Sequence, residues 1–110
     1  MKYGLTEEQW AMLCNVFAKN PHIEKVILYG SRAKGTYKPF SDVDITLDGE
    51  GLSVADIAEI ATAIDDLLLP YMFDISLYRN LKNPDLLDHI SRSGITVYER
   101  NWNNLLEDIS

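Results

Sequence analysis

Gly30-Ser31-Arg32-Ala33-Lys34-Gly35-Thr36-Tyr37-Lys38-Pro39-Phe40-Ser41-Asp42-Val43-Asp44 is the stretch on which the fold turns. Before it, an apolar run, Val26-Ile27-Leu28-Tyr29, stops at Gly30. At its end an alternation begins, with Val43, Ile45 and Leu47 interleaved with Asp42, Asp44 and Thr46. These patterns predict one strand over Ile23 to Tyr29 and another over Asp42 to Asp48. A Gly-Ser turn after a strand can offer backbone N–H groups and a hydroxyl to a phosphate. Side chains two apart on a strand share a face, so Asp42 and Asp44 point the same way. Two carboxylates held side by side repel unless a cation lies between them. A hard divalent cation, magnesium above all, suits both such a pair and a polyphosphate.

Outward from this stretch, Met72 to Tyr78 predicts a third strand, with Phe73, Ile75 and Leu77 on one face and Met72, Asp74, Ser76 and Tyr78 on the other. An Asp in the middle of an otherwise apolar strand is costly unless it is paired, hydrogen-bonded or bound to a metal. If this strand lies beside the second one, Asp74 joins Asp42 and Asp44 on one sheet face. Helices are expected over Thr6 to Asn20, where Thr6 and Gln9 form a capping-box pattern, and over Ser53 to Leu69, with Ile57, Ile60, Ala61, Ile64, Leu67 and Leu68 as its buried stripe. A further helix starts at Asn83-Pro84 and stops at Gly94, and a last strand covers Ile95 to Glu99. Cys14 reads as a core thiol on the first helix, and His89 as a structural or solvent-facing residue without ligand partners at metal spacing. Trp102, Leu105, Leu106 and Ile109 recur at helical spacing in an acidic tail that packs on the domain or docks a partner.

The 110 residues suit one domain, 1–110, with 100–110 as its tail. No apolar run approaches the roughly 18 residues of a membrane span, and the N-terminus lacks the apolar core of a signal peptide. A single cysteine cannot form an internal disulfide, which fits a reducing cytoplasmic setting. The formal net charge of -7 argues against a broad grip on duplex nucleic acid, which needs a basic face. Arg32, Lys34 and Lys38 nonetheless cluster beside the carboxylate pair, an arrangement suited to a small polyphosphate.

Together these residues fit metal-assisted phosphoryl or nucleotidyl transfer. Asp42 and Asp44 would bridge two magnesium ions and hold a triphosphate. Gly30 and Ser31 would bind the outer phosphates, and Arg32 or Lys34 would neutralise the leaving pyrophosphate. Asp74 would bind a metal and help take the proton from the attacking hydroxyl. The spacing of Gly30-Ser31 to Asp42-x-Asp44, with Asp74 on a third strand, resembles the nucleotidyltransferase superfamily that includes DNA polymerase beta. The short length, and the Arg32-Ala33-Lys34-Gly35 filling, resemble its minimal members, the MNT-type proteins, with Lys34 in place of their second Arg. That resemblance implies an α/β (α+β) fold, a small mixed sheet flanked by helices with the active site on the exposed sheet face. It also implies magnesium, a nucleoside triphosphate such as ATP, and a small helical HEPN-type partner, silenced in some pairs by transfer of AMP to a tyrosine by the antitoxin. Two other readings stand beside it: a non-catalytic nucleotide- or partner-binding adaptor, and transfer to a small molecule such as an antibiotic.

Overall fold

The computed structural model describes residues 1–100. The apolar tail positions Trp102, Leu105, Leu106 and Ile109 lie outside them. Eight principal elements follow one another: α1 (Glu7–Ala18), β1 (Lys25–Tyr29), α2 (Ser31–Lys34), β2 (Val43–Asp48), α3 (Val54–Asp65), β3 (Phe73–Leu77), α4 (Pro84–Ser93) and β4 (Ile95–Glu99), with a 3₁₀ turn at Tyr78–Asn80. The strands form one four-stranded mixed sheet in the order β3-β2-β1-β4. β1 runs antiparallel to both β2 and β4, while β2 and β3 run parallel, joined through α3.

The register follows from the alternation in the sequence. Val26 and Leu28 of β1, and Val43, Ile45 and Leu47 of β2, are all buried on the face that meets Leu13 and Phe17 of α1 and Ile60 and Ile64 of α3. Both long helices begin at capping boxes, Thr6 with Gln9 and Ser53 with Asp56. Each box satisfies amide donors that the first turn leaves without partners. Cys14 is half-buried against the sheet, where its thiol donates to the Val97 carbonyl at 3.5 Å and burial pushes its pKa up, the signature of an inert core thiol.

Two sequence expectations need correction. The helix expected to reach Leu69 ends at Asp65, and Leu68, expected in its buried stripe, adopts φ 57 and is 88% exposed. Pro70 biases the residue before it toward extended backbone, so the chain leaves the helix early and turns Leu68 outward. Asp42, expected as the first residue of the second strand, stands just ahead of β2, which starts at Val43.

α4 lies over β1 on the opposite sheet face. The His89 ring meets the Tyr29 ring edge-on, with centroids 6.3 Å apart and planes at 72°. Asn83 caps α4, accepting from the amides of Asp85 and Leu86. On β2 and β3 the same face carries Asp44 paired with Asp74 and Thr46 paired with Ser76, and Thr46 is buried there. Among the described residues no helix is long and apolar enough to cross a membrane.

Candidate active site

The end of β1 and the starts of β2 and β3 meet at one edge of the molecule. Tyr29 pairs with Asp44, and Asp44 with Asp74, so the three stand in one row across adjacent strands. Directly opposed residues on neighbouring strands hold their side chains close on a shared face. Asp44 is half-buried, whereas Asp42 and Asp74 are exposed. Burial raises the Asp44 pKa first, and the charges of Asp74 and then Asp42 add to it; the Arg32 charge pulls the other way. Asp44 is thus within electrostatic reach of the other two expected carboxylates. The three do not close into a ready cage: among the described residues no three His, Cys, Asp or Glu side chains form a group that could hold a metal. An electrostatically burdened set of hard oxygen donors fits a divalent cation of the magnesium type.

Gly30 is the hinge of the site. Its backbone, φ 78 and ψ -156, lies in a region open essentially to glycine. A Cβ there would run into Asp44 Oδ2. Glycine therefore lets the turn pass close to the Asp44 carboxylate. Gly30→Ala is expected to cost about 2 kcal/mol of stability and to lower transfer by more than tenfold, checked by thermal melting and by initial rates. The Gly30 N–H, expected to bind phosphate, is already engaged: it donates to His89 Nε2 at 2.8 Å. The short helix α2 follows, closed by Gly35 in the left-handed region, φ 81 and ψ 9. Ser31 is half-exposed at the turn, and Lys34 is in solvent.

Arg32 is elsewhere. It is 1% exposed. Its Nε and Nη2 donate to the Ser41 carbonyl at 3.1 and 2.8 Å, and its Nη1 to the Tyr3 carbonyl at 2.9 Å. The guanidinium carbon stands 5.1 Å from the ring centroids of both Tyr37 and Tyr71. The residue expected to meet pyrophosphate instead ties the 35–41 loop to the N-terminal segment, just ahead of Asp42. Its charge still reaches Asp44 through the protein.

Two residues outside the expected set border this row: Tyr29, paired with Asp44, and His89, expected to be structural or solvent-facing, which accepts from Gly30. Strand alternation places Tyr29 opposite Val26 and Leu28 in face, so its side chain could have been assigned to the polar row. Burial pushes its hydroxyl pKa up, and Asp74 and Asp44 add to the shift. Nothing in the local sequence marks His89, which only the packing of α4 on β1 brings to Gly30. Beside the row lies an open hollow of about 310 Å³ lined by Pro39, Phe40, Ser41, Leu69, Pro70, Tyr71 and Met72. Phe40 and Met72 there are 95% and 74% exposed.

A Gly-Ser turn at the end of one strand and carboxylates on the next two thus meet on a mixed sheet. In agreement, residues 12–103 match the polymerase beta nucleotidyltransferase family, and the chain belongs to that family. No curated protein matches the chain in sequence. Solved structures share the fold. One is a toxin–antitoxin pair with AMP-PNP, at 21% identity and TM-score 0.65, with 96% of this chain and 82% of that one covered. Another is the MNT antitoxin in complex with the tri-AMPylated HEPN toxin of Shewanella oneidensis, at 15% identity and TM-score 0.64, covering 93% and 79%. A third is the toxin–antitoxin pair MntA–HepT, at 16% identity and TM-score 0.62, covering 94% and 81%.

Proposed function

We propose that this chain is a single minimal transferase domain that moves a nucleoside monophosphate, AMP in the first instance, from a nucleoside triphosphate to a hydroxyl on a HEPN-type partner protein, acting as that partner's antitoxin in the cytoplasm. The observation that carries the reading is the row Tyr29–Asp44–Asp74, with the Gly30-Ser31 turn continuing from its first member. In this reading Asp42, Asp44 and Asp74 would hold magnesium, as two ions, and Ser31 and Lys34 would hold the outer phosphates. Bound magnesium would supply charge compensation on the triphosphate and acidify the attacking hydroxyl. Asp74, exposed on the edge strand, faces the incoming acceptor and takes its proton. The acceptor oxygen then bonds to the α-phosphorus as the bond to pyrophosphate breaks, and Lys34 offsets the charge that develops on the leaving group. Gly30 supplies clearance for Asp44, and Arg32 fixes the loop that presents Asp42.

The neighbours solved with AMP-PNP and with an AMPylated toxin support AMP as the group and a protein as the acceptor. The exposed Phe40 and Met72, two residues ahead of Asp42 and of Asp74 in the chain, favour a protein surface over a polar, cationic antibiotic. The test is label transfer. With magnesium and the partner present, label at the α-phosphate of ATP is expected to move to the partner, label at the γ-phosphate is not, and Asp74→Asn is expected to lower the rate by at least about a hundredfold. Transfer from the γ-position would overturn the reaction. Nucleotide binding without any transfer would favour the adaptor reading.

A further inference from the structure

We infer that His89 is a positioning residue of the nucleotide site, the acceptor that locks Gly30 in the conformation the phosphate turn requires; this rests on the nucleotidyltransferase reading above. The Gly30 N–H donates to His89 Nε2 at 2.8 Å, across 59 positions of chain. A backbone angle pair such as φ 78 and ψ -156 is open to glycine but is only one of several it can adopt, so the surroundings must select it. Two groups do so here. The Asp44 carboxylate fills the space that a Cβ would take, and His89 takes the amide on the other side. The ring is itself held, edge-on to the buried Tyr29, and carried on α4 next to the buried Ile90.

The hydrogen bond also fixes which tautomer is present. Nε2 accepts, so the neutral ring carries its proton on Nδ1. The nitrogen nearest the site is therefore occupied by a backbone donor and is not free to act as a general base, which leaves proton removal to Asp74. Because Gly30 gives its N–H to His89, the outer phosphates fall to the Ser31 amide and hydroxyl. The same bond makes α4, distant in sequence from every carboxylate of the row, a structural part of nucleotide binding. A histidine that only filled space between α4 and β1 would not need its acceptor nitrogen on the amide of the residue that abuts Asp44.

The test compares His89→Gln with His89→Asn and His89→Ala in the full chain with its partner, using ATP and magnesium. The Gln side-chain oxygen can reach the position of Nε2, whereas Asn is too short. His89→Asn and His89→Ala are expected to raise the nucleotide KM about tenfold, the scale of one lost, part-buried hydrogen bond, with the acceptor KM unchanged. His89→Gln is expected to recover most of the affinity. An unchanged nucleotide KM in His89→Asn would overturn the inference. So would a fall in kcat that His89→Gln does not restore, with both KM values shifted alike, since that is the mark of a general packing defect. If His89→Ala does not fold, the comparison of Gln with Asn decides. If the wild-type chain transfers no label, the enzymatic reading has failed by itself, and calorimetric binding of ATP with magnesium then decides on His89: a Kd that is equal in wild type and His89→Asn, or no binding at all, overturns it.

Discussion

Replacing Asp44 by Asn is expected to lower nucleotidyl transfer by about a thousandfold or more while making the metal-free protein more stable. The two effects have one cause. Asp44 is raised above the ordinary carboxylate value, first by burial and then by Asp74 and Asp42. The folded chain thus holds this proton to a higher pH than the unfolded chain does. Between the ordinary value and the raised one the native state binds more protons, so stability falls as pH rises through that interval. Ionised Asp44 is a cost to the fold, and one that a cation relieves. In melting experiments without metal, the wild-type Tm should decline as pH rises through the upper carboxylate range. Asp44→Asn should flatten that decline and lift Tm at pH 7 by a few degrees. Magnesium with ATP should raise the wild-type Tm, an effect that chelator reverses and that Asp44→Asn largely loses. A wild-type Tm indifferent to pH over that range would remove the electrostatic account, and residual transfer above a tenth of wild type would remove Asp44 from the centre of the reaction.

The parts of this site that could be read from the sequence are those set by short-range geometry. The alternation of Val43, Ile45 and Leu47 with Asp44 and Thr46 determines a face, and the structure buries the apolar set as the alternation requires. Asp74 was anomalous in its strand for the same reason, and its register opposite Asp44 follows once β2 and β3 pair in parallel. Gly30 was legible as a turn, but not as the residue that gives Asp44 room. Three features were not legible. Leu68 fits a helical stripe by spacing, yet the chain leaves the helix before reaching it, a competition between periodicity and the restriction imposed by Pro70. His89 reaches Gly30 only because α4 crosses β1, a long-range packing event that leaves no trace in local periodicity. Arg32 sits in a loop rich in charge, where a basic residue is ordinarily solvated. That it folds inward depends on Tyr3, Tyr37, Ser41 and Tyr71 arriving from three separate segments.

Arg32 accordingly carries the second large prediction, and it separates a structural role from the phosphate-binding one suggested by its place in the sequence. Substitution by Met keeps much of the volume but strands the Tyr3 and Ser41 carbonyls, which now receive three N–H donors from the guanidinium. Stranded buried acceptors and the loss of two cation–π contacts are together worth about 3 kcal/mol, a fall in Tm of about 10–15 °C for a domain of this size. Lys cannot replace the planar fork that serves Ser41 with two nitrogens and Tyr3 with a third, so Arg32→Lys should also melt early, by at least half that amount. Were Arg32 a phosphate ligand, Arg32→Lys would instead leave Tm unchanged and raise the nucleotide KM. The 35–41 loop leads directly into Asp42, and an unbraced loop would place that carboxylate poorly. Transfer by Arg32→Met, measured well below its Tm, should therefore fall through kcat more than through the nucleotide KM. A variant that melts like wild type would show that the inward guanidinium contributes nothing net, and would return Arg32 to the phosphate side of the site.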